Sequence, residues 1–258
     1  MRYALKLSYD GTNFQGWQKQ LGDKRTVQGE LERCINILCK SDSKIEITGC
    51  GRTDTGVHAI NYIAHFDWNK TLPPDFVYHL NSILPTDIAI DDTIEVDDTF
   101  HARYDAIQRR YEYHLHGFKA PFLDKWSFRI KSFDKLEMNK LNEAAGLISS
   151  FHSFYPFCLS DSGVKNYNVT IFESYWKEAA EKQLVFTISA NRFLRGMVRL
   201  VTGMCVNVAT GQLEMEAVKN ALTNQTLLPK SLSLPPHGLY LVNVKYENLD
   251  IDQSIEKQ

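Results

Sequence analysis

The sequence predicts an α+β fold with mainly antiparallel strands, and three observations lead to it. Strand-like alternation and helix-like periodicity both occur, without the strict β-α-β-α order of a parallel sheet. The second half repeats the element types of the first. Hydrophobic residues make up 43% and charged residues 23% of 258 positions, an ordinary globular composition with room for one large domain or two small ones.

Taken in order, Tyr3, Leu5, Leu7 and Tyr9 alternate with Ala4, Lys6 and Ser8, which predicts a half-buried strand. Asp10-Gly11 ends it, and Phe14, Gly16 and Trp17 follow in a loop. Thr26 caps a helix whose apolar face is Val27, Leu31, Cys34, Ile35 and Leu38. Ile45 to Thr48 is a short strand running into a polar loop, and Ile60, Tyr62, Ala64, Phe66 and Trp68 alternate beyond it. Pro73-Pro74 opens a helix to about Ile83, and Ile88 to Val96 reads as a strand. Tyr104 to Ala106 looks like a join. Ile107, Arg109, Tyr111, Tyr113 and Leu115 then share one face of a strand, with Gln108, Arg110, Glu112 and His114 on the other. Asp134 with Glu137 resembles a capping box for a helix through Ile148. Strands follow near Thr170 to Lys177 and Leu184 to Ala190. A helix from about Phe193 buries Leu194, Met197, Val198, Val201, Met204, Cys205 and Val208, another runs from about Met215 to Leu222, and Gly238 to Tyr246 is the last strand. The expected division is residues 1–105, residues 106–248, and an acidic tail at 249–258. Two packed halves leave a cleft between them, where sites tend to form.

Five cysteines, odd in number and without a Cys-x-x-Cys, point to a reducing cytoplasm and away from a disulfide scaffold or zinc ribbon. Lys6 interrupts the apolar run a signal peptide would need. The stretch Phe193 to Val208 is too short and, with Arg195 and Arg199, too charged to span a bilayer. Net charge is −2 and the pI about 6.4. Six of the acids, though, lie in Asp87 to Asp98 and four in Glu247 to Gln258. Setting aside those ten and Lys257 leaves 21 acids against 28 bases. That remainder is basic enough to hold phosphates, and two solvated acidic segments are the plainer explanation of the asymmetry.

The segment CGRTDTGVHA, Cys50 to Ala59, holds an arginine, an aspartate and a histidine between two strands. Asp54 stands where a Gly-x-Gly-x-x-Gly phosphate cradle requires its third glycine, and no Gly-Lys-[Ser/Thr] follows. A metal is not expected: Asp54 and His58 are not on a helix, no second ligand cluster accompanies them, and Arg52 would sit beside the ion. Two readings stay open. Thr53-Asp54-Thr55-Gly56 is good turn chemistry. It would also hold a catalytic carboxylate on a rigid base, kept ionised by Arg52 or by Arg199. On the residues alone, Tyr111 is a core aromatic and Arg199 a helix-edge surface residue.

Five stretches in order, SYDGTNFQGWQKQ, GCGRTDTGVHA, FHARYDAIQRRYEYHL, FLRGMVRLVTG and PPHGLYLVNVKY, resemble the tRNA pseudouridine synthase A family over residues 3 to 246. The resemblance implies the pseudouridine synthase fold: two similar α+β halves sharing a curved, largely antiparallel sheet, with the active cleft between them. It implies a homodimer that converts uridine to pseudouridine at positions 38, 39 and 40 of the tRNA anticodon stem-loop, without metal or organic cofactor. It puts the catalytic aspartate at Asp54, the arginine that helps open the RNA at Arg52, the aromatic that stacks on the target base at Tyr111, and the arginine that pairs with the carboxylate at Arg199. Arg103, Arg109, Arg110, Lys119 and Lys125 are candidate phosphate contacts. The chain departs from the family in reading His152-Ser153-Phe154 where His-Asp-Phe is common, and Val169 near a family arginine. A non-catalytic tRNA-binding module and a small-molecule hydrolase using the same aspartate are the competing expectations.

Overall fold

A computed structural model describes residues 1–40, 44–159, 166–228, 232–247 and 249. The acidic tail expected at 249–258 lies, but for Leu249, outside them. The chain divides into two compact units, Met1–Ile107 with Leu241–Gln258, and Gln108–Tyr240. Among the described residues, five α-helices with mostly antiparallel strands make the α+β class expected.

In the first unit the strands are β1 (Arg2–Tyr9), β2 (Ile47–Gly49), β3 (His58–Asp67), β4 (Ile88–Val96) and β9 (Leu239–Tyr246, from Leu241 on). Their order is β4-β1-β3-β9, with β2 also on β3. Tyr3, Leu5 and Leu7 lie opposite Phe66, Ala64 and Tyr62, so the two alternating patterns share one buried face. Helices α1 (Val27–Cys39) and α2 (Phe76–Ile83) belong to this unit. Thr26 caps α1 through its hydroxyl, which accepts from the Gly29 amide. Strand β1 is buried on both faces rather than one: Lys6 is only 6% exposed. The apolar stem of a lysine tolerates being covered, and the carboxylate of Asp91 on β4 acts electrostatically on Lys6.

In the second unit β5 (Ala106–His116), β8 (Gln183–Ala190) and β7 (Ile171–Ala180) pair antiparallel in that order, and the short β6 (Phe128–Arg129) pairs parallel with β5. Helices α3 (Met138–Ile148), α4 (Met197–Ala209) and α5 (Met215–Asn224) complete it. Two expectations fail here. Asp134 and Glu137 form no capping box: Asp134 sits in a separate 3-10 turn, Phe133–Lys135, and Glu137 caps α3 with backbone alone. The side chain of Glu137 accepts from Lys140 instead. Helix α4 begins at Met197, not Phe193, because Gly196 at φ +72 cannot continue a helix. Once started, α4 is buried nearly all round, and it packs on α3. No helix of the described residues is long and apolar enough to cross a membrane.

Candidate active site

Asp54 stands in the loop joining β2 to β3, and that loop is tied down at nearly every residue. The Cys50 amide donates to the Ile63 carbonyl at 2.8 Å. The Tyr62 hydroxyl donates to the Gly51 carbonyl. Thr53 is buried; its hydroxyl shares a 2.8 Å hydrogen bond with that of Tyr9, and its carbonyl accepts from the Trp17 amide at 3.2 Å. The Asp54 carbonyl accepts from the Val57 amide at 3.2 Å, closing a turn in which Gly56 takes φ +78. The expected turn chemistry is therefore real, and it fixes a half-buried carboxylate in place.

The brace comes from the segment after β1. Trp17 stacks on Tyr62 with ring centres 4.0 Å apart, over Gly49, where a methyl group would strike both rings. A methyl on Gly11 would reach the Val57 carbonyl at 2.0 Å, and one on Gly16, at φ +85, the Thr53 carbonyl at 2.5 Å. Chain meets chain here backbone to backbone. Trp17, Tyr9 and Tyr62 in this supporting role were not legible beforehand; the glycines and aromatics of GTNFQGW were the signal. His58 is buried, with Nδ1 3.1 Å from both the Gly11 amide and an Asp10 carboxylate oxygen. It secures the loop's far end. Arg52 is exposed, and its Nε donates to Gln18 Oε1 at 3.1 Å.

The other two expected site residues lie in the second unit. Tyr111, half-buried on β5, meets Phe193 edge-on at 5.1 Å, in the segment before α4. Two residues on and therefore on the same face, Tyr113 is fully buried and donates to the Pro235 carbonyl at 2.7 Å. Burial pushes its hydroxyl far above the usual phenol range, with the nearby Arg199 guanidinium opposing, so Tyr113 remains a donor. Arg199, in the first turn of α4, donates from Nε to the Leu234 carbonyl at 2.6 Å, and the Leu234 amide donates back to the Arg199 carbonyl at 3.3 Å. The structure thus gathers Tyr111, Tyr113 and Arg199 around β5 and α4.

The candidate phosphate contacts differ in availability. Arg103 is exposed beside the Tyr104 ring. Arg109 Nη1 donates to the Asn191 carbonyl at 2.8 Å. Arg110 points to the opposite face of β5, where it donates to the Tyr175 hydroxyl at 2.8 Å and lies 3.5 Å from Glu173. Lys119 and Lys125 are exposed in the connection between β5 and β6. Ser153, at the departure from His-Asp-Phe, donates to Gln225 Oε1 at 2.6 Å, and Val169 is buried. Among the described residues no three His, Cys, Asp or Glu side chains are grouped to hold a metal ion.

A family model described as tRNA pseudouridine synthase matches residues 7–105 and 151–247. The chain is 37% identical over 249 residues to tRNA pseudouridine synthase A of Bacillus subtilis, covering 96% of this chain and all of the relative. It is 36% identical over 249 residues to the protein of the same name from Porphyromonas gingivalis, covering 95% of this chain and 97% of the relative. Among solved structures, a chain of a Cbf5-Nop10-Gar1 complex aligns at 9% identity and a TM-score of 0.29, covering 77% of this chain and 53% of that one, a likeness too slight to argue from. With most of its length matched by the family model and by such relatives, including the loop of Asp54 and the helix of Arg199, the chain belongs to the tRNA pseudouridine synthase family, enzymes that isomerise uridine in tRNA.

Proposed function

We propose that this chain forms pseudouridine at positions 38, 39 and 40 of the tRNA anticodon stem-loop, as a cytoplasmic homodimer, with Asp54 as its catalytic residue. The observation that carries the assignment of Asp54 is its loop, held by backbone hydrogen bonds on both sides of one carboxylate. Such bracing is what pre-organised chemistry requires and more than a simple connection needs.

The reaction breaks the N1–C1′ bond, turns the uracil, joins C5 to C1′, releases the C5 proton and takes one up at N1. Positive charge develops on the sugar as the first bond breaks. An ionised Asp54 either attacks C1′, stabilises that charge, or removes an adjacent ribose proton. No second carboxylate is required to activate water, because the base is retained and recaptured. The target must leave the stack, at about a few kcal/mol. Stacking on Tyr111 returns about 1–3 kcal/mol. Arg52, exposed at the rim of the loop, is suited to the space the flipped nucleotide leaves.

Asp54→Asn is expected to abolish tritium release from tRNA labelled at uridine C5 while leaving tRNA affinity near that of the parent. Near-parental turnover would remove Asp54 from the mechanism. Mapping pseudouridine in anticodon arms treated with the parent protein tests the three positions.

A further inference from the structure

We infer that the connection between β5 and β6, Gly117 to Ser127, is a second RNA-recognition element, in which aromatic side chains stack on bases and lysines hold phosphates away from the catalytic residues. It rests on the reading that the target base stacks on Tyr111, on the strand that leads into this connection.

The segment reads GFKAPFLDKWS. Phe118, Phe122 and Trp126 are 38%, 88% and 45% exposed. Scattered surface aromatics are ordinary, but three within nine residues, with lysines between them, form a patch. From Gly117 to Lys131 there are four bases, Lys119, Lys125, Arg129 and Lys131, against the single acid Asp124. That carboxylate is held by the buried His116, whose Nε2 lies 2.9 Å from Asp124 Oδ1. Cations alternating with exposed rings match the chemistry of a nucleic-acid strand, whose bases offer π faces and whose backbone offers phosphates. A second copy of this chain would bring the same four bases against themselves, so the charge favours RNA as the occupant.

The segment is also built to hold its shape. His116 Nδ1 lies 2.9 Å from Ser127 Oγ, so one imidazole pins both Asp124 and Ser127. The amides of Leu123 and Asp124 both donate to the Ala120 carbonyl at 2.9 Å, and the Tyr240 hydroxyl donates to the Trp126 carbonyl at 2.7 Å. A backbone fixed in advance loses little freedom on binding. Five residues of β5 lie between Tyr111 and Gly117, a span of about 20 Å.

The test uses the full chain, with Phe122→Ala and Lys119→Ala/Lys125→Ala, both at exposed sites. Measured are Kd for an unmodified tRNA transcript across a salt series, single-turnover rate at saturating tRNA, thermal midpoint and solution mass. Phe122→Ala is expected to raise Kd by about 5–150-fold, the loss of one stacking contact, with the saturated rate kept. Phe122→Tyr should restore affinity, which separates lost stacking from lost folding. The double lysine variant should flatten the slope of log K against log salt by about 2. Parental Kd and slope in both variants would overturn the inference. So would an affinity loss that follows a fall in solution mass, which would assign the patch to contact between copies. Asp54→Asn in the same assay reads the catalytic assignment separately: full turnover there would sink that assignment and leave the Kd comparison to decide the loop.

Discussion

Asp54 is defined less by its own surroundings than by what holds its neighbours, and two glycines measure this. Gly16 and Gly22 have nearly the same φ, +85 and +84. A methyl on Gly22 meets nothing within 4 Å, while one on Gly16 meets the Thr53 carbonyl at 2.5 Å. Alanine at a left-handed position is strained by about 1–2 kcal/mol wherever it stands. Gly22→Ala should therefore lower stability by about 1 kcal/mol in urea titration and leave kcat alone. Gly16→Ala should add about 1–3 kcal/mol for the clash. It should also lower kcat by about 10–100-fold, because the displaced residue adjoins Asp54 and small misplacements of reacting groups weigh heavily. Equal effects of the two substitutions would show that Gly16 does not position the loop. The motif resemblance marked Asp54, Arg52, Tyr111 and Arg199 in the sequence. The support remained hidden because Tyr9, Trp17 and Tyr62 approach Thr53 and Gly51 only once β1 and β3 are paired.

Strand β3 carries a second consequence of pairing. His65, opposite Ala4, is 5% exposed, and its Nδ1 accepts the Ala102 amide at 3.1 Å. Burial, with Arg2 and His101 adding to it, holds its pKa down to about 4. The unfolded chain takes up this proton near pH 6.5 and the folded one only near 4, so between those values the unfolded state binds more protons. The contribution of His65 is thus present above about pH 6.5 and is lost as pH falls towards 4. Replacing it with glutamine keeps an acceptor and removes the titration. His65→Gln should be less stable than the parent at pH 7 yet lose less stability between pH 7 and pH 4.5, read from urea midpoints; parallel loss in both would sink the idea. The strands themselves were legible because alternation records their buried faces. The capping box of α3 was not: Phe133 packs under Gly117, where a methyl would meet its ring at 2.5 Å. Asp134 shares a 3-10 turn with Phe133 and so stays with that contact, apart from α3. Likewise α4 was expected four residues early because the apolar pattern of 193–196 does not reveal the backbone of Gly196.

The acidic run from Asp87 to Asp98, which lowers the pI of a tRNA enzyme, finds its explanation in the sheet of the first unit. Strand β4 stands at the end of the order β4-β1-β3-β9. Asp87 at its start is spent on Arg25, with both carboxylate oxygens accepting from the guanidinium at 2.7 and 2.8 Å. Asp97 accepts from the Thr99 amide and hydroxyl, and Asp98 lies 3.7 Å from the N-terminal amine. Asp91 and Glu95 on β4 itself are exposed. An end strand offers unpaired backbone groups to any other strand, and charge along it opposes that pairing. The acids then keep copies of the sheet apart, while the basic remainder of the chain is left to meet phosphate. Asp91→Thr/Glu95→Thr retains strand propensity and removes two charges. The variant should scatter more light as concentration rises, and its thermal midpoint should fall, because Asp91 interacts with the buried Lys6. Its tRNA affinity should be equal to the parent's or slightly higher, since two charges that repel the substrate are gone. If association is unchanged and affinity falls instead, these carboxylates belong to the RNA-binding face and not to a guarded edge.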